Sequence, residues 1–196
     1  MLLFGPDLLP GFHHRDAFVT TEEESRLVDA IAEIEFQTFE MRGVAARRRV
    51  AFYGRSYDAA RGRERPIPEF LLPLRDRFAE WANVDPGAFA MALINEYRPG
   101  APIGWHRDAP QYGIVAGLSL LSAAWMNLRP YVAPKDIRLR AGETISASAR
   151  RRRTTHEIEL QPRSAYLLSG ESRQAYEHSI PPVDSLRYSI TFRTLR

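Results

Sequence analysis

A mainly β (α+β) fold, in which two amphipathic helices back one sheet of a sandwich or barrel, is the class this sequence predicts. Three observations predict it. Helical periodicity is confined to the first 86 residues, where two segments show it. Beyond residue 88 it gives way to about eight short β-forming runs split by Gly, Pro and Asn. The 196-residue length and ordinary apolar content favour one domain with one sizeable core, and no internal repeat is visible.

The opening MLLFGPDLLPGF is apolar but lacks a basic start and is broken by Gly5, Pro6, Asp7 and Pro10. It therefore reads as an ordered N-terminal arm and not as a signal peptide. His13 and His14 fall in this loop-like stretch. Residues 20–35 open with a capping box at Thr21 and Glu24 and continue with Leu27, Ile31 and Ile34 at helical spacing. Residues 38–66 mix short apolar pieces with Arg, Gly and Asp, as a strand or hairpin with loops would. Arg61 to Pro68 is a charged connection. The second helix covers 68–82, with Phe70, Leu74, Phe78 and Trp81 as its buried stripe and Pro73 early enough to be tolerated. The expected strands are 88–97, 103–108, 114–121, 123–129, 137–140, 154–160, 164–169 and 186–194.

Composition narrows the chemistry. The chain has no cysteine, so disulfides, thiolate metal sites and cysteine nucleophiles are excluded, and any metal is held by His and carboxylates. No apolar run reaches the ~20 residues that span a bilayer, and a soluble cytoplasmic monomer is expected. The formal charge is +3, and Lys135 is the sole lysine among many arginines. This suits bidentate recognition of phosphate or carboxylate, or reflects genome composition. Arg47-Arg48-Arg49 and Arg150 to Arg153 are either phosphate-facing patches or solvated turns.

The chemistry centres on NEYRPGAPIGWHRD, residues 95–108. On a strand, side chains alternate faces, so Asn95 and Tyr97 point one way and His106 and Asp108 share a face. A His and a carboxylate projecting together supply two-thirds of a facial triad for Fe(II). Among the remaining histidines, His156 alternates with Ile158 and Leu160 and reads as packed, whereas His178 ends a strand before Pro181-Pro182. His178 is the preferred third ligand, with His156 left open. Trp105 points away from the ligands, into core. Gly117 and Gly170 read as backbone punctuation. In RYSITFR, Arg187, Ser189, Thr191 and Arg193 share one face, and Tyr188, Ile190 and Phe192 the other. The arginines either face solvent or line a pocket for a dicarboxylate, with Ser189, Asn95 and Tyr97 supplying hydrogen bonds.

GWHRD, YEHSIPP and RYSITFR nine residues after the distal His, with INEYRPG before the first and LLSGESR before the second, resemble the AlkB family of Fe(II)/2-oxoglutarate-dependent dioxygenases. The resemblance covers residues 90–196 well and the N-terminal half more loosely. It implies a double-stranded β-helix (jelly roll) from 87 to 196, with N-terminal helices packed on one sheet within 1–86 and a substrate lid over about 40–65. It implies that His106, Asp108 and His178 bind Fe(II), that Arg187 clamps the distal carboxylate of 2-oxoglutarate, and that Arg193 lies near its chelating end. Asn95, Tyr97 and Ser189 hydrogen-bond the co-substrate. Tyr53, Arg55 and Tyr57 are the lid residues expected to meet a single-stranded or flipped alkylated base in DNA or RNA. With O2 as co-substrate, the expected reaction is oxidative N-demethylation. Two departures bear on it: Pro110 stands where the well-known demethylases carry Asp, and Ser189 stands at the Asn of the family's Arg-x-Asn-x-x-x-Arg. Ser169 also replaces a Trp. The alternatives are the same oxidation on a protein side chain or small metabolite, and a non-catalytic jelly-roll binding module.

Overall fold

The computed structural model describes residues 9–41, 44–55, 65–132 and 155–196. The expected strand 137–140, the Arg150 to Arg153 cluster, Tyr57 and part of the expected lid lie outside the described residues.

Helix α1 (Thr21–Ala32) begins one residue earlier than the capping pattern suggested. The Thr20 hydroxyl accepts from the Glu23 N–H at 3.2 Å, and the Glu23 carboxylate accepts from the Thr20 N–H at 2.8 Å. This shift frees Glu24, which turns inward. Its Oε1 accepts the Leu121 N–H at 2.8 Å and its Oε2 meets Arg163 Nη1 at 3.3 Å. Both partners are non-glycine residues at positive φ, 71° and 66°. Such backbone persists where surrounding bonds over-determine it, and Glu24 supplies them while fastening α1 to the sheet. Helix α2 (Leu72–Ala82) follows a 3-10 turn at Glu69–Leu71 and tolerates Pro73 in its first turn. It ends at Asn83 in the left-handed conformation.

Eleven described strands form two antiparallel sheets: β1 (Phe12–Arg15), β2 (Gln37–Met41), β3 (Val44–Gly54), β4 (Phe89–Tyr97), β5 (Ile103–His106), β6 (Tyr112–Leu120), β7 (Ala124–Pro130), β8 (His156–Leu160), β9 (Ala165–Leu168), β10 (Tyr176–Ile180) and β11 (Arg187–Leu195). A short helix, α3 (Gly170–Gln174), precedes β10. The large sheet runs β1-β9-β6-β11-β4-β3-β2, and the small one β5-β10-β7-β8. This is the jelly roll the sequence implied. His13 and His14 belong to β1 and not to a loop, because β1 caps the edge of β9, with His14 opposite Tyr166. Residues 44–54, within the stretch expected to form the lid, are a sheet strand: β3 pairs with both β2 and β4.

The large sheet is buried on both faces, so its strands carry apolar residues at successive positions. On the outer face Ala51, Ala92, Ile94, Ile190 and Phe192 pack against Leu27, Ile31, Leu74 and Phe78 of the helices. Phe78 stacks on Phe18 at 4.6 Å and meets Phe192 at 5.9 Å. The inner face looks toward the small sheet. Phe78→Ala is expected to cost about 3–5 kcal/mol and Thr20→Ala about 1 kcal/mol. Urea unfolding of each variant checks both values.

Candidate active site

The small sheet sets the ligand positions. Strands β5 and β10 pair with His106 opposite His178, which brings the ring centroids to 4.3 Å. Asp108 follows β5, and one ligand atom from each of the three residues lies within 4.8 Å of the others. The loop carrying Asp108 is held by Arg173 of α3. Its Nη2 donates to the carbonyls of Asp108, Ala109 and Tyr112 at 3.3, 2.6 and 3.0 Å. His106 Nδ1 lies 2.8 Å from the Gly104 carbonyl. A carbonyl only accepts, so Nδ1 carries the proton and Nε2 is left for a metal.

Charge at the triad suits a cation. Burial lowers the pKa of His106, against the opposing pull of Asp108. Burial first, and then His106, push His178 down to about 3. Asp108 stays ionised although burial alone would raise it, because Arg193 and the two histidines outweigh that penalty. Two neutral imidazoles and one carboxylate are the donor set of non-haem Fe(II).

The large sheet provides the opposing wall. Strand β11 alternates as expected, and Arg187 and Arg193 point inward with 0% and 8% exposure, so the solvent-facing alternative falls. Arg193 Nε and Nη2 both reach Asp108 Oδ1 at 2.8 Å, leaving Oδ2 turned toward His178 Nε2 at 3.8 Å. Arg187 lies beside Tyr97, a cavity-lining residue, with its guanidinium 5.1 Å from the Tyr97 ring and Nε donating to Ser119 at 3.0 Å. Its Nη1 is buried without a hydrogen-bond partner. An unpaired buried guanidinium nitrogen is costly unless an anion completes it. These residues therefore fit Fe(II) at the triad and a dicarboxylate reaching from it to Arg187.

The site surrounds a cavity of about 260 Å³ between the two sheets. Asn95, Tyr97, Ser189 and Arg193 all line it, with Asn95 directly opposite Ser189 in the register. The lid residues fare differently. Tyr53 is 5% exposed and packs on the helix side of β3, with Arg65 at 4.8 Å over its ring. Strand parity turns it away from the cavity, so a base-stacking role is corrected. Arg55, exposed at the end of β3, lines a separate depression with Arg65 and Arg75. Trp105 does point away from the ligands. It is 37% exposed under Arg129 at 3.9 Å on the outer face of the small sheet, and not in core.

Three contributors escape a sequence reading. Arg48 enters the cavity from β3 and donates Nε to Asn95 Oδ1 at 3.3 Å. Tyr166 lines the same cavity from β9, its phenol pushed up by burial first and by Asp108. Gly117, directly opposite Tyr166, is more than punctuation: an added Cβ would overlap the Tyr166 ring and hydroxyl. Arg173 is the third, acting through the Asp108 loop.

The chain's sequence matches the model of the 2OG-Fe(II) oxygenase superfamily over residues 13–193. The chain belongs to this superfamily. Its cofactors are Fe(II) and 2-oxoglutarate, and it is an Fe(II)/2-oxoglutarate-dependent dioxygenase. Among curated proteins, this oxygenase is 28% identical over 204 residues to the Arabidopsis thaliana "Alkylated DNA repair protein ALKBH8 homolog", an AlkB-type relative. That alignment takes in 96% of the oxygenase but 56% of the relative. Protein L905 of Acanthamoeba polyphaga mimivirus is 26% identical, with 95% and 86% of the two chains covered. Two solved structures share the fold. OsALKBH1 superposes with a TM-score of 0.70 at 15% identity, covering 95% of this chain and 99% of its own. A Pseudomonas putida prolyl-4-hydroxylase gives 0.63 at 13%, with 95% and 93% covered. A catalytic family leaves the non-catalytic binding module aside. Among the described residues, no helix of the oxygenase is long and apolar enough to cross a membrane.

Acid should destabilise the metal-free oxygenase in a defined window. Unfolded, position 178 takes up a proton near its ordinary value of 6.5; folded, it refuses one until about 3. Stability therefore falls as pH drops through that interval. Urea midpoints should decline from pH 6.5 toward 4, and less steeply in His178→Gln. Gly117→Ala should cost about 1–3 kcal/mol by overpacking, and a second change, Tyr166→Leu, should recover part of it.

Proposed function

We propose that this oxygenase demethylates nucleic-acid bases oxidatively, acting on an alkylated base that is single-stranded or flipped from a duplex. In this reading His106 Nε2, Asp108 Oδ2 and His178 hold Fe(II). Arg187 and Tyr97 receive the distal carboxylate of 2-oxoglutarate, and Asn95, Ser189 and Arg193 orient its chelating end. When bound, the iron, 2-oxoglutarate and O2 together supply the oxidising power, with one oxygen atom entering succinate as CO2 leaves and the other entering a substrate C–H. Hydroxylation of an N-methyl group gives N–CH2OH, which collapses to N–H and formaldehyde without further help. The chain's own contribution is positional. Arg193 keeps Asp108 ionised and fixed, the Gly104 carbonyl fixes the His106 tautomer, and the apolar wall of Phe52, Leu93, Ile103 and Met126 limits water.

The observation that carries the chemistry is the buried Arg187 with one nitrogen unpartnered. The nucleic-acid substrate is supported by the relation to the Arabidopsis alkylated DNA repair protein and by the positive formal charge of +3. A cavity of about 260 Å³ does not admit a base pair, so a duplex base must leave its stack. The same oxidation on a protein side chain or small metabolite is the second reading, favoured by Pro110, which offers no side-chain hydrogen bond at the exposed lip beside Asp108.

Incubation with methylated single-stranded DNA, Fe(II), 2-oxoglutarate and air should remove the mass of one methyl group and release formaldehyde. Succinate formation without loss of methyl would favour the second reading. Under anaerobic conditions, Fe(II) and 2-oxoglutarate should give a weak visible charge-transfer band that His178→Ala abolishes. A variant that keeps the band would remove His178 from the ligand set.

A further inference from the structure

The strand registers set out the inner face of the large sheet in levels, one every two residues. Arg187 and Tyr97 share one level, and Ser119, Ser189 and Asn95 the next. Gly117, Thr191 and Leu93 follow, with Tyr166 of β9 directly opposite Gly117. Arg193, which grips Asp108, comes one level further. Tyr166 therefore stands between the arginine at the far end of the site and the arginine at the metal end. Its electrostatic neighbours agree: Asp108 and Arg193 at one end, Arg187 and Tyr97 at the other.

Gly117 is what lets this phenol into the site. A Cβ there would lie 2.3 Å from Tyr166 Cζ and 2.6 Å from its hydroxyl. The ring thus crosses from β9 and lays its oxygen over β6, in the space a side chain at 117 would fill. Arg187 leans over the same strand, because its Nε donates at 3.0 Å to Ser119, the next inward residue of β6. Two donors in this region lack an acceptor. Arg187 Nη1 is buried and unbonded. The Tyr166 hydroxyl belongs to a buried residue that lines the catalytic cavity, and it makes no hydrogen bond among the described residues. Burial first, and Asp108 next, raise its pKa, so the phenol holds its proton at neutral pH and offers it as a donor. A buried O–H without an acceptor is unfavourable, and an acceptor entering the cavity would recover that loss. An ionised carboxylate accepts at about four lone-pair sites on its two oxygens. Arg187 Nη1 and Tyr97 fill part of that capacity and leave room for a further donor.

We infer that Tyr166 is a co-substrate-binding residue: its hydroxyl, carried across the gap that Gly117 leaves, donates a hydrogen bond to the distal carboxylate of 2-oxoglutarate beside Arg187. The inference rests on the Fe(II)/2-oxoglutarate reading of the site, with Arg187 as the carboxylate clamp, and is independent of which substrate is oxidised. The phenol acts on a carboxylate that Arg187 already holds, because a carboxylate buried without the guanidinium loses more than one hydrogen bond returns. Gly117 and Tyr166 are then one device, since any side chain at 117 displaces the donor.

Tyr166→Phe tests this, because it keeps the ring over Gly117 and removes the oxygen alone. Anaerobic calorimetry on the Fe(II)-loaded wild type and variant measures binding of 2-oxoglutarate and of 2-oxopentanoate, the five-carbon acid that lacks the second carboxylate. Circular dichroism checks the fold of each protein. The wild-type preference for 2-oxoglutarate should shrink by about tenfold in Tyr166→Phe, the worth of one hydrogen bond to a charged group. The change should come through weaker 2-oxoglutarate binding, with 2-oxopentanoate bound as in the wild type. At saturating 2-oxoglutarate the variant should keep the visible charge-transfer band, since the chelating end is untouched. A Tyr166→Phe protein that binds 2-oxoglutarate as tightly as the wild type overturns the inference and leaves the Arg187 clamp standing. Equal weakening for both acids also overturns it, because the phenol would then act at the chelating end or through the fold. If the wild type does not distinguish the two acids, the Arg187 clamp itself fails and the inference falls with it.

Discussion

Arg187 opens β11, the central strand of the large sheet between β4 and β6, with no exposure and one guanidinium nitrogen unbonded. A charge in that position is tolerable in a stable fold only if the fold surrounds it with partial compensation and leaves the last position for an anion. Ser119 and Tyr97 give the partial compensation. Around this constraint the rest of the site is arranged: the inner face of the large sheet becomes polar where β11 crosses it. Tyr188, Ile190 and Phe192 on the reverse face hold the strand against the helices. The helices thus matter to catalysis because they fix the strand that carries both arginines.

The two sheets are tied together at the chemistry. Arg193 comes from the large sheet and grips Asp108 Oδ1, which follows β5 of the small one. Arg173 holds the same loop by three backbone carbonyls. The metal-binding atoms are therefore oriented before any metal arrives, with Oδ2 of Asp108 and the ring nitrogens of two neutral histidines converging. Such preorganisation keeps the reorganisation needed on binding small. Burial supports it in a second way, because it keeps His106 and His178 deprotonated and ready to ligate.

Much of this was legible from the sequence because strands have a period of two. That period put His106 with Asp108, Asn95 with Tyr97, and Arg187 with Arg193, and all but Arg187, which lies beside Tyr97, line one cavity. The same period misled where its phase was unknown. Tyr53 was assigned to the substrate face, but β3 turns Arg48 and Phe52 inward and Tyr53 out to the helices. The helix start slipped by one because Thr20-Thr21 and Glu23-Glu24 satisfy the same pattern twice, and the tertiary bond from Glu24 to Leu121 settled which pair caps. The strand containing His13 and His14 exists by pairing with β9, 150 residues away, which no local pattern reveals. Gly117 looked like punctuation because the side chain it makes room for, Tyr166, is a neighbour in space alone. Trp105 had the right direction and the wrong surroundings.

The central claim is that Arg187 waits for the far carboxylate of the co-substrate, and one calorimetric comparison tests it directly. Binding of 2-oxoglutarate and of 2-oxopentanoate, which has the same five-carbon chain without the second carboxylate, is measured anaerobically on the Fe(II)-loaded wild type and on Arg187→Met. The account predicts that the wild type prefers 2-oxoglutarate by at least about tenfold, as a charge-assisted bond to a buried guanidinium should give, and that Arg187→Met binds the two alike. An Arg187→Met protein that keeps the full wild-type preference would contradict it.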